Sequence, residues 1–201
     1  MQCRNSNEFL LRRLEKPTGP IDVVLDTDAF NEVDDQFALA YLLRSGDKAN
    51  LRAIYAAPFT NQKAASPAEG MEKSYQEIGH ILALCGREDL LTAVYRGSPS
   101  YLPDESTPVL SPAAEDLAER AMAQPDDRPL YVVAIGAITN VASALLIRPE
   151  IARKIVLVWL GGHAWTWPDT REFNLIQDVA AARVVFGCGV PLVQLPCMGV
   201  V

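Results

Sequence analysis

"IDVVLDTDAFNEVDDQFALAYLL", residues 21–43, changes its pattern twice within one short stretch. Ile21 to Leu25 form a short, largely apolar run that reads as a buried strand. From Asp34 the apolar residues cluster as a helix would place them, and Gly46 suits the stop, so residues 34–46 read as a helix. Between strand and helix the chain gathers five carboxylates within ten residues: Asp26, Asp28, Glu32, Asp34 and Asp35. No Lys or Arg interrupts them.

The same alternation runs outward along the chain. Strands are expected at 51–57, 91–97, 129–135, 154–162 and 191–196. Helices are expected at 66–86, 111–124, 137–149 and 178–189. Ser66 with Pro67 and Glu69 spells a capped helix start, Gly86 a stop, and Ser111 with Pro112 a second capped start. Strands separated by helix-length segments make βαβ units. The expectation is therefore an α/β fold in three layers, a mostly parallel Rossmann-like sheet with helices on both faces. Residues 98–108 read as a Pro/Ser-rich loop. Residues 1–20 read as an N-terminal extension with one amphipathic turn around Phe9 to Leu14, and 21–201 as a single domain.

Composition narrows the function. The chain has 201 residues, 49% hydrophobic and 21% charged, which suits one domain with a full core. A net charge of -7 argues against a nucleic-acid polymer as partner, because phosphates attract Lys and Arg. No apolar run is long enough for a signal peptide or a membrane span. Cys3, Cys85, Cys188 and Cys197 are scattered without zinc-type spacing, and point to a reducing, cytoplasmic setting.

In this reading Asp26 and Asp28 end a strand while Asp34 and Asp35 begin the next helix. The carboxyl edge of a parallel sheet is where open α/β folds bind ligands. A helix N-terminus offsets some of the repulsion, and a divalent cation with oxygen ligands would offset the rest. Asp34 alone would suit any helix start, and Glu32 reads as a solvent-facing acid; Asp26, Asp28 and Asp35 together exceed what a cap explains. Elsewhere, Asn61 could simply start a turn. Glu172 and Asn174 face the same way only in an extended segment. His163, after the glycines of "LGGH", could touch a ligand or cap a turn. Trp165 and Trp167 could stack on a base or pack the loop down. His80 reads as structural.

"VVLDTDAFNEVDDQFALAYLL" resembles the N-terminal signature of the inosine–uridine-type nucleoside hydrolases, where an Asp-x-Asp pair ends a strand and an Asp-Asp pair opens the following helix. "LRAIYAAPFTNQ", "VVAIGAITNVASALLIRPEIARKIVLVWLGG" and "EFNLIQDVAAARVVFGCGVPL" resemble later segments in order, so the likeness runs from about Ile21 to Pro196. It implies calcium-dependent hydrolysis of the N-glycosidic bond of a ribonucleoside, through an oxocarbenium-like transition state. By that resemblance Asp28 is catalytic base and calcium ligand, Asp35 the main calcium ligand, and the Ile135 carbonyl part of the shell. Asp34, Asn61, Glu172 and Asn174 would hold the sugar; His163, Trp165 and Trp167, by their place in the loop and not by the resemblance, are candidate contacts to base or leaving group.

Three departures stand out. The gap from Asp28 to Asp34 is two residues longer than in well-known members. The stretch "RGSPSYLPDESTPVLSPAAEDL" has no His. Family members also continue past this chain's end, so the domain is expected to be C-terminally incomplete and, with a last strand left uncovered, to self-associate as a homo-oligomer. Two alternatives remain open on the residues. "VVLDTDAF" also resembles the Asp-x-Asp of haloacid-dehalogenase-like phosphatases, though Ala29-Phe30 follows in place of Gly-Thr. The chain could also be a non-catalytic relative acting as a binding module.

Overall fold

The computed structural model describes residues 5–199; Cys3, Val200 and Val201 lie outside them. Six strands form one sheet: β1 (Ile21–Thr27), β2 (Ala49–Ala56), β3 (Val94–Arg96), β4 (Leu130–Ala134), β5 (Ile155–Leu160) and β6 (Leu192–Leu195). Their order is β3-β2-β1-β4-β5-β6, and every pairing is parallel. The chain builds outward from β1 through β2 to β3. It then crosses back to lay β4 on the other side of β1. The strand order therefore reverses between β1 and β4, and at such a point folds of this kind bind ligands in the crevice outside the strand carboxyl ends.

Helices α2 (Val33–Leu43) and α3 (Pro67–Leu84) cover one face, burying Leu39, Ile78 and Leu82 against Leu25 and Ile54. Helices α4 (Pro112–Met122), α5 (Thr139–Ile147) and α7 (Val179–Gly187) cover the other, around Tyr55, Leu117, Leu145 and Trp159. α3 begins as the sequence predicts: Ser66 Oγ accepts from the Glu69 amide at 3.2 Å, and the Glu69 carboxylate accepts from the Ala65 amide at 2.9 Å. It ends at Gly86 with φ 64°, where the Gly86 and Arg87 amides close onto Ala83 and Leu82. Only glycine adopts that left-handed turn freely.

Coverage of the sheet is uneven. Leu25, Val133, Val158 and Val193 lie in one register row across β1, β4, β5 and β6. Leu25 is buried under α2 and α3, Val133 and Val158 are half-buried, and Val193 is 37% exposed.

Two local expectations change. The strand expected at 91–97 shrinks to Val94–Arg96, because Glu88–Ala93 winds into a 3-10 turn. The segment holding Glu172 and Asn174 is not extended: Glu172 caps a short helix, α6 (Phe173–Gln177). The amphipathic turn near Phe9 is a helix, α1 (Asn7–Arg13), fixed below the amino edge of the sheet by Asn5 Nδ2 on the carbonyls of Ala152 and Gly189. No helix among the described residues is long and apolar enough to cross a membrane.

Candidate active site

The β1 end carries Asp26, Thr27 and Asp28, all buried. Asp35, in the first turn of α2, turns inward and is 6% exposed, while Glu32 and Asp34 beside it are exposed. The split follows from helix geometry: neighbouring positions point about a hundred degrees apart, so one acid of the Asp34-Asp35 pair faces the sheet and the other faces water. The Thr27 hydroxyl donates to Asp35 Oδ1 and ties the strand end to the helix start.

The three buried carboxyls disturb one another. Burial pushes Asp26 up to about 7, with the Asn140 bond opposing and the Asp35 charge adding to the rise. Burial first and Asp35 second hold Asp28 well above the usual carboxylate range. Burial also raises Asp35 to about 7, against the Thr27 bond. Asp26 Oδ2 and Asp28 Oδ2 are buried and accept no hydrogen bond from the described residues. Gly136, just past β4, lets the backbone pass close to this group: a Cβ there would meet Asp28 Oδ1 at 2.9 Å.

These donors are hard oxygens, and an unsatisfied buried carboxylate is unfavourable unless paired. Asp28 and Asp35 are donors of the kind a hard divalent cation takes, while the Ile135 carbonyl accepts from Asn174 Nδ2. Among the described residues no three His, Cys, Asp or Glu side chains are grouped as a complete metal site.

The remaining candidates divide. Asn61 lies in a tight turn with Ala64; its Oδ1 accepts from the Lys63 amide at 2.7 Å, and its Nδ2 donates to Asn31 Oδ1 at 2.7 Å. Both its turn role and its place next to the Asp28 loop are thus real. Asn174 Nδ2 donates to the carbonyls of Ile135 at 3.1 Å and Leu160 at 3.0 Å, bridging the ends of β4 and β5. Both Glu172 oxygens accept from main-chain amides: Asn174 at 2.9 Å, Gly162 at 2.7 Å and Leu175 at 2.8 Å. His163 sits beyond β5 with its side chain 10% exposed, its Nδ1 buried and without a hydrogen-bond partner among the described residues, and Nε2 3.9 Å from Asp169. Trp167 leans on it at 5.9 Å between ring centroids. Trp165 is 98% exposed and so does not pack the loop down. His80 is an exposed residue of α3 beside Glu77.

Sequence reasoning missed Asn140. Buried at the start of α5, it donates from Nδ2 to Asp26 Oδ1 at 2.7 Å and to the Ala56 carbonyl at 3.2 Å. Its Oδ1 accepts from the Ser98 amide at 2.7 Å and hydroxyl at 2.9 Å. An Asn inside the otherwise apolar "AITNVASALL" was the available signal, since buried polar groups require partners. Also missed was the pair Gln177 and Asp178. Gln177 Oε1 accepts from the Thr60 amide and the Tyr101 hydroxyl, and Asp178 Oδ2 from Leu102 N at 2.9 Å and Thr139 Oγ1 at 2.7 Å. These bonds fasten the 98–108 loop to the rim of the crevice.

The sequence model of the inosine-uridine preferring nucleoside hydrolases matches residues 23–199. Pyrimidine-specific ribonucleoside hydrolase RihA of Enterobacter sp. (strain 638) is 27% identical over 196 residues, taking in 87% of this chain and 59% of that protein. The protein of the same name from Citrobacter koseri is 36% identical over 99 residues, 48% of this chain and 30% of that protein. The chain thus spans only part of the length of these relatives. Among solved structures, the purine-preferring ribonucleoside hydrolase from Gardnerella vaginalis superposes with a TM-score of 0.63 at 25% identity, over 86% of this chain and 60% of that one. An inosine-uridine preferring nucleoside hydrolase from Bacillus anthracis shares the fold with a TM-score of 0.61 at 22% identity, over 88% and 65%.

Proposed function

Since the chain belongs to the inosine-uridine preferring nucleoside hydrolase family, we propose that its β1–β4 crevice hydrolyses the N-glycosidic bond of a ribonucleoside to free base and ribose. The observation that carries this is Asp28: a buried carboxylate with an unsatisfied Oδ2, beside a second buried carboxylate, at the point where the strand order reverses. Family membership leaves no support for the phosphatase alternative.

In this reading Asp28 takes the proton from the attacking water. A base is most effective with a pKa near the working pH, and burial lifts Asp28 toward that range. Asp28, Asp35 and the Ile135 carbonyl would hold calcium, which when bound would offset the crowded negative charge and make a water more acidic. Asp34, exposed at the crevice mouth, accepts a hydrogen bond from a sugar hydroxyl. Asn61 meets the sugar from the β2 side. Asn174 meets it from the β5 side with its Oδ1, and Glu172 holds Asn174 in place through the main chain. Positive charge growing on the ribose is met by the fixed carboxylates. His163, beyond β5, serves the departing base in this reading.

Pyrimidine nucleosides are the first substrates to try, because the curated relatives carry that specificity in their names. The test is ribose release from uridine, cytidine and inosine with calcium present, comparing the native chain with Asp28→Asn. Loss of a general base lowers turnover by about a hundredfold to ten-thousandfold. Equal turnover in Asp28→Asn, under conditions where the native chain is active, overturns the assignment.

A further inference from the structure

The link between Gln177 and Thr60 does more than hold a loop. The segment between β2 and α3 is a loop with one tight turn, Asn61 to Ala64. One side chain satisfies both main-chain groups of Thr60 in it. Gln177 Oε1 accepts from the Thr60 amide at 2.9 Å, and Gln177 Nε2 donates to the Thr60 carbonyl at 3.2 Å. Main-chain groups need such partners, and here an amide side chain takes the place of a neighbouring strand. The Tyr101 hydroxyl donates to the same Oε1 and meets Thr60 Oγ1 at 3.0 Å. Burial raises the Tyr101 phenol above its ordinary range, against the Thr60 bond, and the charges of Asp178 and Asp28 add to the rise. The junction thus stands within electrostatic reach of Asp28.

Its two ends lead to the two asparagines assigned to the sugar. Thr60 is next to Asn61 in the chain. Gln177 follows Asn174 by three positions in α6, and positions three apart share a helix face. α6 has only five residues, too few to hold a direction by itself. It is held by its side chains instead. Glu172 accepts from Gly162, and Asn174 donates to the carbonyls of Ile135 and Leu160, which ties the helix to the ends of β4 and β5. Gln177 ties it across to the segment after β2. That last tie sets where Asn61 stands relative to Asn174.

The two asparagines offer complementary groups. Both amide hydrogens of Asn174 go to carbonyls, which leaves its Oδ1 to accept. Asn61 Nδ2 gives one hydrogen to Asn31 and keeps one to donate. A hydroxyl both donates and accepts, so neighbouring sugar hydroxyls can meet both asparagines at once, but only at one separation. We propose that Gln177, locked by Tyr101, is a positioning residue that sets this separation, and with it the preference for ribose over its deoxy counterparts. The inference rests on the reading of the crevice as a ribonucleoside site. Gln177 itself touches neither sugar nor base; it acts through the two asparagines.

The test compares sugar release from uridine, 2′-deoxyuridine and 3′-deoxyuridine with calcium present. The native chain should favour uridine, since a site built to bond a hydroxyl rejects a sugar that lacks it. Gln177→Leu should raise KM for uridine and lower its kcat/KM by about a hundredfold, the usual consequence of misplacing a bound group. The deoxy substrates, which already leave one asparagine unused, should lose much less, so the preference should shrink by about tenfold or more. Tyr101→Phe removes only the hydroxyl and should act in the same direction. The double variant should be no worse than Gln177→Leu alone, because both changes break one junction. A bond that merely held the fold would lower all three substrates together. An undiminished preference in folded Gln177→Leu, or in Tyr101→Phe where Gln177→Leu does not fold, overturns this inference and leaves the assigned reaction standing. A native chain that releases no sugar from any nucleoside overturns both.

Discussion

Asp26, Asp28 and Asp35 are three acids in a space that favours neutral ones. Each binds a proton more tightly in the folded chain than in the unfolded chain. Between the ordinary carboxylate range near 4 and about 7, the folded state therefore holds more protons than the unfolded state, and stability falls as pH rises through that window. In chelator, calorimetry should give a higher Tm at pH 5 than at pH 8. At pH 8, millimolar calcium should raise Tm, and Asp35→Asn should remove most of that rise while stabilising the chelated form by neutralising one buried charge. A Tm indifferent to calcium at pH 8 would count against a cation at Asp28 and Asp35.

At the level of elements, Glu172 shows why the site was only partly legible in the sequence. "EFN" marks a position, but nothing in those three letters says that the carboxylate caps α6 and reaches back to Gly162 at the end of β5. Glu172→Gln leaves one acceptor oxygen for the three amides that the two carboxylate oxygens accept, and denaturant unfolding should show a loss of about 1–3 kcal/mol. A stability unchanged by Glu172→Gln, with turnover reduced, would return the residue to direct contact with the sugar. The acids of β1 and α2 were readable because strand end and helix start are local patterns. Asn140, Gln177 and Asp178 were not, because their partners lie far along the chain and appear only when the loops converge. The 3-10 turn at Glu88–Ala93 was hidden for a different reason: three residues of strand are too few for a period to register.

Over the whole molecule, alternating apolar runs were enough to give the layers and the parallel sheet. The reversal of strand order after β3 was not written in any run, since it depends on which edge of the sheet receives β4. That reversal leaves Asn140 joined to Ser98, Ala56 and Asp26, which precede it by 42, 84 and 114 residues. Such a junction has a history as well as a geometry. Its bonds can close only after β1, β2 and the β3 loop have been gathered around α5, and long-range closures of this kind come late on a folding path. Asn140→Ala should then destabilise the chain by about 2 kcal/mol through the polar groups it strands. Nearly all of that should appear as unfolding faster by about thirtyfold, with the refolding rate almost unchanged. A chevron in which the refolding arm shifts instead would place the junction in the nucleus, and the carboxylate end of β1 would be organised before the sheet is complete.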